Sequence, residues 1–334
     1  MPKPGNGLRA RVRVGIRGST LAVLAVAAVI FGAGQASAAA FNVTEVQVPT
    51  PGAGPFTLAI GSDHATWFTE FTHDAVGRLQ AGHFSQFRLT ESGLPDSIAA
   101  GPDGALWFTD DTNDVIWRIT TSGSLSSFPI PPCTGCQFSG GSGVGNIIAG
   151  PEGALWYSRP GNDAIGRITT SGDVQEFPVA RTGSYPGWIT AGPDGAIWFT
   201  VSEGIARMTT EGSVSIVYDG LNYPSSIVTG PDGNLWFTGF YEDVVGRLTP
   251  GTGDTVKLFP LPVGCAPQNI AAARGALWMS CYEQPVVYRA SIQGRATAIN
   301  VPSGESVYGL AGTANGPVFF GDYVANRIGE ITFG

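Results

Sequence analysis

Two sets of seven residues concentrate the side chains of this sequence that can do chemistry. One set lies three positions past a recurrent aromatic residue and reads Glu70, Asp110, Arg159, Val201, Gly239, Cys281 and Asp322. The other opens a small apolar run, in five of seven cases directly after a proline, and reads Phe56, Asp96, Gly145, Gly187, Ser225, Gln268 and Tyr308. The carboxylates Glu70, Asp96, Asp110, Asp111 and Asp322 offer the oxygen ligands that hard cations take, with Glu70 and Asp322 the leading metal ligands. The same residues also read as ordinary solvated acid in a chain of net charge -8. His73 follows Glu70 by three residues, and an imidazole titrates near neutral pH, so this pair reads either as base and ligand or as a solvated loop. Tyr308 is the other candidate base, and a phenol with an ordinary pKa of about 10 would need strong depression to serve. Phe56, Trp188, Tyr223, Tyr241, Tyr282, Tyr308 and Tyr323 supply rings that either stack on sugars or flat ligands or pack between neighbouring repeats. Gly145, Gly187 and Gly239 are expected to leave floor space beside them.

The elements that must position these residues come from a repeat. Aromatic anchors recur at Trp67, Trp107, Trp156, Trp198, Trp236, Trp278 and Phe319, about forty residues apart, inside a phrase that is cleanest at Gly101-Pro102-Asp103-Gly104-Ala105-Leu106-Trp107-Phe108-Thr109. A period of that length with strand-like content predicts an all-β, seven-bladed β-propeller of four-stranded antiparallel blades. In the second copy, strand A is Ser97–Ala100, small enough to line a central channel, and Gly-Pro-Asp-Gly makes the turn. Strand B is Leu106–Thr109, strand C Val115–Thr120 and strand D Leu125–Phe128, stopped by Pro129. After Phe319 only one further strand, Ile328–Thr332, remains, and Thr44–Pro49 resembles the missing outer strand. The N-terminal strand is therefore expected to close the ring on the last blade. In this geometry the start of strand A, the end of strand B and the connection between blades share one face, where a site is expected. An arginine recurs in strand C at Arg78, Arg118, Arg167, Arg207, Arg247 and Arg289, and is expected to pair with acids four residues earlier, such as Asp74, Asp114, Asp163 and Asp243.

Residues 1–38 read as a signal peptide: five basic residues, an apolar run from Leu21 to Phe31, and Ala36-Ser37-Ala38 as a cleavage site, with cutting after Ala38 or Ala40. The apolar run is short for a membrane span of about 20 residues, so the expected product is a secreted or extracytoplasmic chain of one domain, 39–334, with no membrane span. Without the leader the balance is 13 basic against 26 acidic residues, which argues against nucleic acid and anionic membranes as partners. The expected partner is a small molecule, peptide or glycan bound by a monomer. Cys265 just before one strand A and Cys281 just after the paired strand B predict a disulfide. Cys133 and Cys136 form a C-x-x-C in the longest inter-anchor insertion and are expected as disulfide cysteines too, since no second pair or nearby His supports zinc.

The repeated phrases, among them Gly192-Pro193-Asp194-Gly195-Ala196-Ile197-Trp198-Phe199-Thr200 and Ile165-Gly166-Arg167-Ile168-Thr169-Thr170, resemble those of the streptogramin B (virginiamycin B) lyases across all seven copies. The resemblance implies a seven-bladed propeller and a carbon–oxygen lyase that opens cyclic depsipeptides at an ester bond by Mg²⁺-assisted elimination. It also implies a catalytic His at the start of strand A in a late blade and a second His one blade earlier. Those places hold Tyr308 and Gln268 here. The metal-binding Glu that the resemblance implies just before the catalytic His is Ser306, and Asp322 stands where another carboxylate is implied. The expectation is a secreted, lyase-like binding scaffold; the alternatives are an active lyase with a different base, such as His73 or Tyr308, and another metal-dependent propeller enzyme such as a lactone hydrolase.

Overall fold

Alternation of aliphatic and aromatic residues with Thr and Ser makes each copy of the repeat a run of short strands, and their burial shows why. In the second blade every residue of strand B, Leu106–Asp110, is buried, because the sheet packs against a neighbour on both faces. The outer strand D, Leu125–Pro129, alternates between partly buried and exposed. The computed structural model describes residues 41–133, 143–179, 183–251, 253–305 and 307–333. The leader expected at 1–38 and Cys136 lie outside these.

The unit 39–334 contains seven four-stranded antiparallel sheets. Six are built in chain order, and the seventh runs from Leu310–Gly312 through Val318–Asp322 and Arg327–Phe333 to the N-terminal strand Phe41–Gln47. Strand A of each blade touches strand A of the next, and that of the seventh touches that of the first, so the ring is closed. The closing pair runs from Phe41 opposite Phe333 to Gln47 opposite Arg327. It starts three residues before the expected Thr44 and stops before Pro49, because Phe41 finds a packing partner in Trp278, with ring centroids 6.3 Å apart. Asn326 pins the exit of this strand: its amide donates to the carbonyls of Val48 and Thr50, and its oxygen accepts from the Gly54 N–H.

The anchor tryptophans are the most buried large side chains, and their indole N–H groups explain the Asp of the turn. Trp67, Trp107, Trp198 and Trp236 donate to Asp63, Asp103, Asp194 and Asp232, four residues back. The strand C arginines use the same acids: Arg78 meets Asp63 at 2.8 Å, Arg118 meets Asp103 at 2.7 Å and Arg207 meets Asp194 at 2.6 Å. Each of these three guanidinium groups also lies over its blade's tryptophan, 5.6 to 6.0 Å from the ring centre. The expected pairing with acids four residues earlier is therefore wrong. Adjacent strands B and C set the arginine beside the A–B turn, whereas Asp74, Asp163 and Asp243 accept backbone N–H groups of the connection to the next blade, at Gly93, Gly183 and Gly264. Blades are also keyed to one another. The Ser122-Gly123 turn adopts φ +95°, and a side chain at Gly123 would fall 2.3 Å from the Phe87 ring of the preceding blade.

The predicted disulfide between Cys265 and Cys281 is present, closing a 16-residue separation and contributing about 3 kcal/mol by the loop-entropy estimate. Cys133 is disulfide-bonded as well. No helix among the described residues is long and apolar enough to cross a membrane.

Candidate functional site

Strand A begins with a bulge. In four blades its register slips just after the first residue, between Pro55 and Leu58, Pro95 and Ile98, Pro224 and Ser226, and Pro267 and Ile270. Strand B compensates with a hydroxyl two residues past the anchor. Thr69 accepts the N–H of Thr57, Thr109 that of Ser97, Ser158 that of Asn146, Thr200 that of Trp188 and Ser280 that of Asn269. A bulge re-aims the side chain it carries. Here the residues after the first strand A position all turn into one cavity of about 270 Å³.

All seven strand A entrance residues line that cavity: Phe56, Asp96, Gly145, Gly187, Ser225, Gln268 and Tyr308. Trp188 joins them, as do Phe240, Thr57, Ser97, Asn146 and Ser158, which the sequence reading did not single out. Asn146 bridges three blades by donating to the Ser97 hydroxyl and accepting from the Ile189 N–H. The hydroxyl recurring two residues past the anchor is the signal that could have revealed the bulge. Phe240 follows strand B directly in the fifth blade and had no repeat partner to mark it.

The strand B exit residues go elsewhere. Glu70, Asp110, Arg159, Cys281 and Asp322 are at most 1 % exposed, and none lines the cavity. Glu70 accepts from the Gln86 amide at 2.6 Å. Asp110 accepts from the backbone N–H groups of Leu94, Thr112 and Asn113, the Asn113 amide and the Trp117 indole. Asp322 accepts from the Ser303 hydroxyl and the Ala325 N–H. Facing strand A across the ladder, they point between strands rather than into the mouth, so Glu70, Asp110 and Asp322 brace loops instead of forming one cluster with Asp96. Gly239 likewise sits beside Val244 and Glu242, away from the cavity. His73 lies in the loop after strand B, its ring beside the Thr72 hydroxyl, and none of His64, His73 and His83 lines the cavity. Tyr282 is 45 % exposed on the rim, 5.9 Å from Phe240, and Tyr323 touches Phe56 and Tyr308 from behind.

These contacts decide how well the residues suit the Mg²⁺ that the resemblance implies. Glu70 and Asp322 already hold internal hydrogen-bond donors, and among the described residues no three His, Cys, Asp or Glu side chains converge as metal ligands. Both carboxylates are therefore engaged inside the protein, and Ser306, at the remaining implied ligand position, lies outside the described residues.

Two ionisable groups face the cavity. Burial, reinforced by Asp111, pushes the Asp96 carboxyl up to about 7. Burial also raises the Tyr308 phenol; a hydrogen bond from Gln268 opposes this, and Tyr282, Asp96 and Tyr323 add to it. Asp111 itself rises to about 6, by burial and by the charge of Asp110. A raised carboxylate costs stability as it ionises, so these groups weaken the fold progressively as pH climbs from about 4 to 7. The turn acids act with the opposite sign. Burial raises Asp63, Asp103 and Asp194 too, but hydrogen bonds from tryptophan and arginine outweigh it and hold them low, so their contribution is lost only below the usual carboxylate range. We therefore expect Asp96→Asn to raise the melting temperature by about 5 °C at pH 8 and to change it little at pH 4. Paired thermal melts at the two pH values check this, and equal shifts at both would refute it.

The sequence profile of the virginiamycin B lyase family matches residues 34–138 and 216–334. The chain belongs to this family. Among solved structures it is similar to selenomethionine-substituted virginiamycin B lyase from Staphylococcus aureus, at 24% identity and TM-score 0.78, over 88% of this chain and 99% of that one. A catalytically inactive variant of the Staphylococcus aureus virginiamycin B lyase with quinupristin matches at 25% identity and TM-score 0.78, with the same coverage. A gluconolactonase from Xanthomonas campestris shares the fold at 13% identity and TM-score 0.55, over 87% of this chain and 98% of that one. No curated protein sequence matches the chain. Tyr308 and Gln268, at the places where the sequence resemblance implies histidines, both line the cavity.

Proposed function

We propose that this chain is a secreted binding propeller that retains the lyase scaffold and holds a small molecule, peptide or glycan at the strand A entrances without running the lyase reaction. One observation carries the proposal: the seven entrance residues converge on one cavity, and no His is among its lining residues. Tyr308 does not replace the missing base, because its surroundings move its pKa up and keep the phenol protonated at neutral pH. Export through a cleaved leader agrees with the buried disulfide, which fits an oxidising compartment.

A second reading has its own support. Asp96 lies in the cavity with a carboxyl that titrates near neutral pH, the range a general base needs. Incubating the purified chain, residues 39–334, with a type B streptogramin and Mg²⁺ separates the two. Under the binding reading, mass spectrometry finds no linearised, dehydrated product above the protein-free control. Turnover that rises through pH 7 and disappears in Asp96→Asn would replace it with an active lyase using a carboxylate base.

A further inference from the structure

The cavity wall is aromatic and anionic. Phe56, Trp188, Phe240 and Tyr308 present rings to it, Asp96 presents a carboxylate, and no Lys, Arg or His lines it. Phe56 and Tyr308 lie with ring centroids 4.4 Å apart, so two of these rings form one continuous surface. The Asp96 carboxylate has no hydrogen-bond donor or basic partner among the described residues, although its backbone carbonyl accepts from Thr57 and Thr69. The charges that reach it are all acidic: Asp111, in turn beside Asp110. A carboxyl kept in a cavity with only like charge for company either holds its proton or takes a cation as partner.

The rest of the lining says which cation. Small hard ions need a shell of about six oxygen ligands, whereas the lining offers one carboxylate, and its Thr57, Ser97, Asn146, Ser158 and Ser225 side-chain oxygens are engaged in internal hydrogen bonds. A weakly hydrated organic cation loses little on leaving water and gains from the negative faces of aromatic rings. We propose that the cavity is a receptor for an organic cation, a quaternary or substituted ammonium head group seated against Phe56, Trp188, Phe240 and Tyr308 and paired with Asp96. This assignment rests on the binding reading and names its ligand class.

Choline and its uncharged carbon isostere, 3,3-dimethylbutan-1-ol, have the same shape and differ in charge, so they isolate the claim. Titration calorimetry on the purified chain, residues 39–334, at pH 8 should show choline binding at least about tenfold more tightly than the alcohol. Asp96→Asn should abolish that difference, and Phe240→Leu should reduce choline affinity while circular dichroism and melting report intact folds. Equal affinity for the two probes, undiminished choline binding by Asp96→Asn, or no choline binding at millimolar concentration would overturn the cation assignment. The streptogramin assay reports on the binding reading independently, so the two ideas fail separately.

Discussion

Removing the closing strand, residues 41–47, should cost this propeller most of its stability. That strand supplies the fourth member of the seventh sheet, and without it the strand Arg327–Phe333 becomes an open edge. Seven paired positions lose their ladder, Phe41 leaves Trp278 and Phe333, and Val43 leaves the core around Ile331 and Phe320. At about 0.5–1.5 kcal/mol per net hydrogen bond plus the apolar burial, the loss is about 5 kcal/mol, a large share of a typical domain's stability. The truncated chain should melt at least about 10 °C lower and aggregate through its new edge. Differential scanning calorimetry and light scattering measure both effects, and a peptide of residues 41–49 added in trans should restore part of the lost melting temperature. A truncated chain that melts within about 3 °C of the full one would mean that closure rests on the strand A ring alone.

Replacing Asp110 by Ala should be the most damaging single substitution among the acidic residues near the loop face. The carboxylate is fully buried and accepts from five donors, and Ala leaves all of them unsatisfied. Hydrogen bonds to a charged acceptor are worth about 1.5–3 kcal/mol each when isolated, and partial relaxation of the loop leaves an expected cost of about 4 kcal/mol. We expect a melting temperature about 10 °C lower, with binding at the cavity unchanged within twofold when measured at 20 °C. Lost binding with unchanged melting would instead place Asp110 in the site. The contrast with Asp96→Asn, which should leave the fold intact and remove cation selectivity, distinguishes a bracing carboxylate from one that faces a ligand.

Much of the molecule was legible before any coordinates. Trp67 to Phe319 set the blade count, because a fully buried indole in each of six copies, with the partly buried Phe319 at the same place in the seventh, can be met only by the same packing repeated. The Cys265–Cys281 bridge followed from hairpin geometry, and the N-terminal strand followed from a last copy one strand short. Five of the nine residues expected on the ligand face, Phe56, Asp96, Trp188, Gln268 and Tyr308, come from the strand A starts or their neighbours, and all five line the cavity. Glu70, Asp110 and Asp322 do not line it, and alternation along a strand could not tell this, because it says which residues share a side but not whether that side meets solvent or another loop. The Gln86 amide and the Ser303 hydroxyl, 16 and 19 residues away in the chain, capture Glu70 and Asp322.

The sequence by itself determined the architecture, since a short repeat with strong local turn and strand chemistry has few ways to bury its aromatic anchors. It also determined that no histidine occupies the strand A entrances. Tertiary structure alone decided which acids face the cavity, because the bulge at the start of strand A turns Asp96 inward while the unbulged end of strand B keeps Asp110 between packed loops. It alone decided the charge environment as well. Burial beside Asp111, with no basic partner, makes Asp96 an acid of nearly neutral pKa, and that depends on the strand A–B hairpin of its blade setting the two acids side by side.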